Sequence, residues 1–276
     1  MSKVFALLTS DPNLMRCDLQ RLDGEVDLAA GPQSNAVSLG SYAQEVVLLQ
    51  RYASEKALPR LGELGAPESE AVLYHADRLP VGWSLEENTQ PFRFRQWLFG
   101  QIGTLPAFAA LRPRLLSLLP EHLQRNIKGD TAGEPAFALF LKHLRDAGAT
   151  DDRALEPALA AQLLGKTARE LDDLAREAGA TDRSSLCFVA TNGRMLLAAR
   201  AGSTELYTRL LEGTDRCARC GIDASTPETL PLKRAHRRRR TVAVASNPVS
   251  PSGWMEIAAG TVIAVDRSGN VQRLPI

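Results

Sequence analysis

Strand-length apolar runs occupy both ends of this chain, and amphipathic helical patterns occupy its middle. Val4 to Thr9 is a short apolar run halted by the turn signal Ser10-Asp11-Pro12, so a buried strand is expected almost at the first residue. Val26 to Leu28 and Ala36 to Leu39 read as short strands around Gly31-Pro32. Glu45 to Tyr52, Ala71 to Tyr74 and Phe94 to Phe99 read as further strands, with 57–67 as a surface connection. Leucines then fall at helical spacing from Ala107 to Leu119, with Pro106 near the start. Glu134 to Ala147 has the same character. A third helix is expected over Thr167 to Ala178, with Thr167 as N-cap and Glu170 completing a capping box. Strands return from Ser185 to Ala190 and Arg194 to Ala201, joined at Asn192-Gly193, a pair suited to a tight hairpin turn. Thr241 to Ser246 is another, and Thr261 to Val265 with Val271 to Leu274 makes a terminal hairpin. Strands, then helices, then strands predict one α+β domain over residues 1–276, with helices packed outside sheets.

Composition adds little to this. Hydrophobic residues make up 44% and charged residues 24%, the balance of an ordinary globular protein. The net charge of +1 gives no global attraction to nucleic acid or an anionic membrane. It conceals a basic run of Lys233, Arg234, Arg237, Arg238, Arg239 and Arg240, so the remainder of the chain is net acidic. No apolar stretch is long enough to cross a bilayer, and the opening residues lack the pattern of a signal peptide. The cysteines Cys17, Cys187, Cys217 and Cys220 do not form a dense framework, so reduced thiols and a cytoplasmic location are expected.

Several segments, taken in order, resemble the class II glutamine amidotransferases, which are N-terminal-nucleophile hydrolases, and among them the compact bacterial group that includes the ergothioneine-pathway γ-glutamyl hydrolase. Ser2-Lys3-Val4-Phe5-Ala6-Leu7 is similar to the family's Met-Cys-Arg-Leu opening. Asn88-Thr89-Gln90-Pro91-Phe92 resembles Asn-Thr-His-Pro-Phe. Arg95 to Gly103 resembles Gly-Arg-Trp-Leu-Phe-x-His-Asn-Gly, and Gly129-Asp130-Thr131-Ala132-Gly133-Glu134 resembles Gly-Asp-Thr-Asp-Ser-Glu. Near the end, Ala245-Ser246-Asn247-Pro248 and Gly253-Trp254 resemble Ala-Ser-Glu-Pro and Gly-Trp. The resemblance implies a four-layer αββα sandwich spanning nearly the whole chain.

It also implies a chemistry. In the family, the residue exposed by loss of the initiator Met is a cysteine that attacks the glutamine amide carbon, with its own α-amino group as base. An Asn side chain and a Gly N–H form the oxyanion hole. An Arg fork holds the substrate carboxylate and an Asp holds its ammonium. Carried over by motif, the nucleophile position is Ser2 and the oxyanion pair is Ile102 and Gly103. The segment His75-Ala76-Asp77-Arg78-Leu79-Pro80-Val81-Gly82 resembles His-x-Arg-x-Ala-Thr-x-Gly, which puts Asp77 at the carboxylate clamp beside Arg78, with Gly82 closing the segment. Ala132 stands at the ammonium partner. Serine is small enough to permit removal of Met1, yet a hydroxyl is a poorer nucleophile than a thiol near neutral pH. The expectation is a protein impaired towards glutamine that binds an amide or amino-acid-like small molecule or a partner protein. The alternative is a working amidohydrolase using Ser2.

Other features stay open. Cys217-Ala218-Arg219-Cys220-Gly221 is a CxxC turn that supplies half a zinc site, with His236 a distant third candidate and no fourth ligand apparent. The plainer alternative is a turn with two free thiols. No metal and no cofactor are expected. The basic run from Lys233 to Arg240 suits an acidic protein partner better than nucleic acid, since no aromatic residues are interleaved for stacking; its plainer reading is a solvated loop entering a strand. His75 reads as a polar residue closing a strand end, and His122 and His143 as surface or satisfied helical positions. Trp97 and Phe99 alternate along a strand and read as core. Trp83, beside Gly82, is placed to fill the space of a former substrate.

Overall fold

The computed structural model describes residues 2–28, 35–52, 61–64 and 68–276. Its strands in chain order are β1 (Lys3–Thr9), β2 (Ala36–Ala43), β3 (Val46–Tyr52), β4 (Ala71–Asp77), β5 (Phe92–Phe94), β6 (Trp97–Thr104), β7 (Ser185–Thr191), β8 (Met195–Ala201), β9 (Tyr207–Leu211), β10 (Thr241–Ala245), β11 (Met255–Glu256), β12 (Thr261–Asp266) and β13 (Val271–Pro275). The helices are α1 (Met15–Arg21), α2 (Leu85–Asn88), α3 (Phe108–Ser117), α4 (Glu121–Gln124), α5 (Gly133–Asp146), α6 (Pro157–Glu177) and α7 (Pro231–Arg238). One sheet has the order β11-β9-β10-β1-β4-β2-β3 and the other β13-β12-β8-β7-β6-β5. Every described strand pair is antiparallel.

Three apolar cores separate the layers. Between the sheets, Val4, Ala6 and Leu8 of β1 meet Leu98 and Ile102 of β6 and Ala198 of β8. Outside the seven-stranded sheet, Phe5 and Leu7 pack with Met15 and Leu19 of α1 and with Leu61. Outside the six-stranded sheet, Phe99 and Phe188 pack under Phe137, Phe140, Leu164 and Leu171 of α5 and α6. Consecutive β1 residues thus bury alternately inward and outward, which is why that strand is apolar without interruption. The layers are helix, sheet, sheet, helix, the sandwich the resemblance implies.

Several local expectations need correction. The run Phe94 to Phe99 is a hairpin, not one strand: Arg95 adopts φ 52°, and β5 and β6 fold back on each other with Phe94 opposite Trp97. The sheet neighbours of β1 are β4 and β10, and β6 faces it from the other sheet. Val26 to Leu28 is no strand; Val26 makes only an isolated bridge to Pro248. Thr167 is not an N-cap. It sits mid-way along α6, where its hydroxyl donates to the Leu163 carbonyl at 2.9 Å, and the helix begins ten residues earlier at Pro157. Glu170 instead faces the buried His143, 3.1 Å away. Of the connection 57–67, Leu61–Glu63 form a short 3-10 turn, and Leu61 and the following Leu64 are buried; the rest lies outside the described residues, as does Gly31-Pro32. α1, β9 and α7 were not foreseen.

Phe99 is the hinge of the outer core, with ring centroids 5.1 Å from Phe137 and 5.3 Å from Phe188. Phe99→Ala is expected to cost about 3–5 kcal/mol of unfolding free energy. Urea denaturation checks this; a loss below about 1 kcal/mol would contradict the packing described.

Candidate functional site

Three strand ends converge at one end of the sandwich. Ser2 continues the inward row of Val4, Ala6 and Leu8, because alternate residues of a strand share a face. On β4 the inward row is Leu73, His75 and Asp77; on β6 it is Leu98, Gly100 and Ile102. The two sheets touch at Gly100, whose Cβ direction points at Val4 and His75, each 3.6 Å away. Beyond that contact the rows end at Ser2, Asp77 and Ile102.

Ser2 Oγ donates to Asp77 Oδ1 at 2.8 Å, and the Arg78 backbone N–H donates to the same oxygen at 2.7 Å. Arg78 contributes that N–H, while its side chain is exposed. Ile102 is 3% exposed and belongs to the inter-sheet core. Gly103 has φ +96°, and a Cβ there would fall 1.9 Å from the Ser185 carbonyl oxygen, so only glycine fits. Gly82 also has positive φ, in an exposed turn with open space around it. Trp83 in that turn is 37% exposed. Ala132 precedes α5 and packs on the outer core.

Behind these positions lies a polar scaffold that the motifs marked only indirectly. Asn88 Oδ1 accepts the backbone N–H groups of Asp130 and Thr131 at 2.7 and 3.1 Å. The Glu134 carboxylate accepts those of Lys128 and Gly129 at 2.9 and 2.7 Å; burial pushes its pKa up, against those two bonds. Gln90 Oε1 accepts the Gln101 N–H at 2.6 Å, and Gly133 leaves room beside both glutamines. The segments Asn88 to Pro91, Gln101 to Gly103 and Gly129 to Glu134 are therefore joined in space, though far apart in the chain. His75 does not close a strand end. It is fully buried, with Nε2 2.9 Å from the Gln101 carbonyl oxygen, which makes Nε2 the protonated nitrogen.

A class II glutamine amidotransferase domain protein from Silicibacter pomeroyi superposes with a TM-score of 0.62 over 99% of both chains, at 17% identity. The fold is that of the class II glutamine amidotransferases. A predicted glutamine amidotransferase from Pseudomonas aeruginosa shares the fold at TM-score 0.57 and 16% identity, over 98% of this chain and 94% of that one. The glutamine phosphoribosylpyrophosphate amidotransferase of Bacillus subtilis shares it at 0.56 and 11% identity, over 99% of this chain but 49% of that longer one. In sequence, the chain is 25% identical over 214 residues to the probable glutamine amidotransferase DUG3 of Saccharomyces cerevisiae, covering 72% of this chain and 58% of the yeast protein. No protein-family model matches. Among the described residues no helix is long and apolar enough to cross a membrane.

The basic run is mostly helical, not a loop, while Arg234, Arg238 and Arg240 stay exposed. Most of it forms α7, in which Lys233 is buried against Glu228 at 2.9 Å, and Arg237 is paired with Asp215 and Glu228. Arg239, just past the helix, is buried against Asp18 at 2.9 Å. Half of its six charges are thus met within the chain. Elsewhere, a cavity of about 270 Å³ lies at the opposite end of the sandwich from Ser2, among Tyr42, Glu45, Glu70, Arg95, Asp151 and Arg194.

Burial holds the His75 pKa below the ordinary value of about 6.5. A histidine neutral in the fold contributes stability that is fully present above the unfolded value and is lost as pH falls through it towards the folded value. Denaturation midpoints are expected to decline below about pH 6.5, and His75→Gln, which keeps an N–H for the Gln101 carbonyl, should flatten that decline. An unchanged acid slope in the variant would show that other groups govern it.

Proposed function

We propose that this protein is a class II amidotransferase-like binder of a small amide or amino-acid-like molecule that no longer hydrolyses glutamine. The carrying observation is the Ser2 hydroxyl, committed to the Asp77 carboxylate at 2.8 Å. If the motif positions hold their family roles, that carboxylate stands where the parent enzymes keep an Arg for the substrate carboxylate. Glutamine would meet a like charge at one end and, with Ala132, no anionic partner at the other. Ile102, sealed in apolar core, offers no donor where negative charge develops on the attacked carbonyl, a loss that alone costs about a hundredfold to a thousandfold. Such losses do not add, because catalytic groups act as a unit. The ligand this favours is neutral or cationic where it meets Asp77.

A second reading has one observation in its favour. Asp77 is also placed to take the Ser2 proton, so that Oγ could attack an amide carbon other than glutamine's; the C–N bond would break as the amine takes up that proton, leaving an ester on Ser2 for water to hydrolyse. On this reading the pair is a nucleophile and base, not a closed latch.

Ammonia release from glutamine separates the cases. No turnover is expected from the wild type or from Ser2→Cys. Restoring all four positions together (Ser2→Cys, Asp77→Arg, Ile102→Asn, Ala132→Asp) is expected to give measurable release. Wild-type turnover that Ser2→Ala abolishes would overturn the proposal. Intact mass of the protein used, expected to show loss of Met1, establishes that Ser2 carries the free amine in each assay.

A further inference from the structure

At the far end of β1 from Ser2, three chain segments bring their sulfur and nitrogen atoms together. Cys17 lies on α1, Cys217 and Cys220 lie on the CxxC turn after β9, and His236 lies on α7. The three Sγ atoms and the imidazole nitrogen all fall within 4.8 Å of one another. Cys17 Sγ is 3.5 Å from Cys220 Sγ, and His236 Nε2 is 3.4 Å from Cys220 Sγ. Tetrahedral zinc, with bonds of about 2.3 Å to sulfur and about 2.0 Å to nitrogen, requires ligand edges of roughly 3.5–3.8 Å. A disulfide would bring the sulfurs to about 2.05 Å, and all four cysteines are free thiols.

The backbone around the cluster has the shape such a centre needs. Cys217 and Ile222 exchange both backbone hydrogen bonds, at 2.8 and 3.0 Å, closing a tight turn that holds Cys217 and Cys220 side by side. Gly221 completes that turn at φ +63°. Cys17 and His236 are buried beneath it. The other imidazole nitrogen, Nδ1, lies 3.0 Å from Arg239 Nη1. Metal on Nε2 puts the ring proton on Nδ1, so this contact becomes donor to donor and the guanidinium must shift aside on metal binding, its positive charge staying nearby. That charge is of use, since Zn²⁺ with three thiolates and a neutral imidazole carries a net charge of −1.

We infer that Cys17, Cys217, Cys220 and His236 form a structural Cys3His zinc site that fastens α1, the CxxC turn and α7 to one another. Four protein ligands leave no open position for substrate or water, so the site is structural, not catalytic. It also stands apart from the Ser2–Asp77 end by the length of β1, roughly 20 Å at the usual rise per residue. The expectation of no metal rested on the lack of a fourth ligand near the CxxC. Cys17 supplies it from 203 residues away.

The test is metal analysis of the full chain, purified under reducing conditions without chelator or a polyhistidine tag. About one zinc per chain is expected. Cys217→Ser should reduce it to a small fraction, and so should Cys17→Ser. Cys187→Ser, remote from the cluster, should leave it unchanged. Should the buried Cys17 variant fail to fold, the half-buried Cys217 variant and cobalt substitution of the wild type carry the test. Co²⁺ should give thiolate charge-transfer absorption and the intense visible bands of tetrahedral coordination. Reduced wild type that retains neither zinc nor cobalt after incubation and desalting would overturn the inference. So would metal retained in full by the Cys17 and Cys217 variants, or a Cys17–Cys220 disulfide in the metal-free native protein.

Discussion

The buried contact between Asp18 and Arg239 fixes where the central strand ends. Both side chains are fully buried, 2.9 Å apart, and Thr241 Oγ1 donates to the other Asp18 oxygen at 2.6 Å while lying 2.8 Å from Thr9 Oγ1. One carboxylate thereby ties α1, the end of β1, the start of β10 and the segment after α7. Burial pushes the Asp18 pKa up to about 6, even with Arg239 pulling it down. A pair this deep contributes little net stability over an apolar replacement, but losing one partner would strand a charge in the interior. Its physical effect is to set register: β1 cannot slide against β10 without breaking it. The position of Ser2 at the other end of β1 follows from that anchoring.

The layered architecture was legible in the sequence because it depends on local pattern. β1 and β10 are unbroken apolar runs, as strands buried on both faces must be, and Asn192-Gly193 marked its hairpin. Motif order then gave the sandwich. What pattern could not give was pairing. Phe94 to Phe99 contains no glycine or proline, so nothing signalled that Arg95 would turn the chain back. Thr167 and Glu170 have capping-box spacing, but Pro157 starts the helix earlier, and the box falls in its interior. α7 was obscured by its charges. Lys233 and Arg239 are buried in spite of them because acidic partners arrive from other segments.

The candidate site was legible in its positions and less so in its contacts. The motifs around Asn88, Gln101 and Glu134 were singled out separately, and the structure joins them through backbone donors that no side-chain pattern encodes. Asp77 was read as a substitution at a clamp; that it would accept from Ser2 depends on the antiparallel pairing of β1 with β4, where Lys3 lies opposite Ala76. Cys17 was overlooked for a related reason. A ligand set divided between the two ends of a chain has no spacing to read, and only the fold makes it a cluster.

Gly103 has a bearing on how a motif resemblance is weighed. Its backbone turns through φ +96° beneath the Ser185 carbonyl, so every larger residue is barred there by geometry alone. Ile102, its neighbour, is held by apolar packing and not by its backbone conformation. A family resemblance that counts glycines therefore measures the survival of a backbone shape, whereas catalysis depends on side chains that no glycine count registers. Two proteins can keep every glycine of a catalytic motif while sharing none of its chemistry.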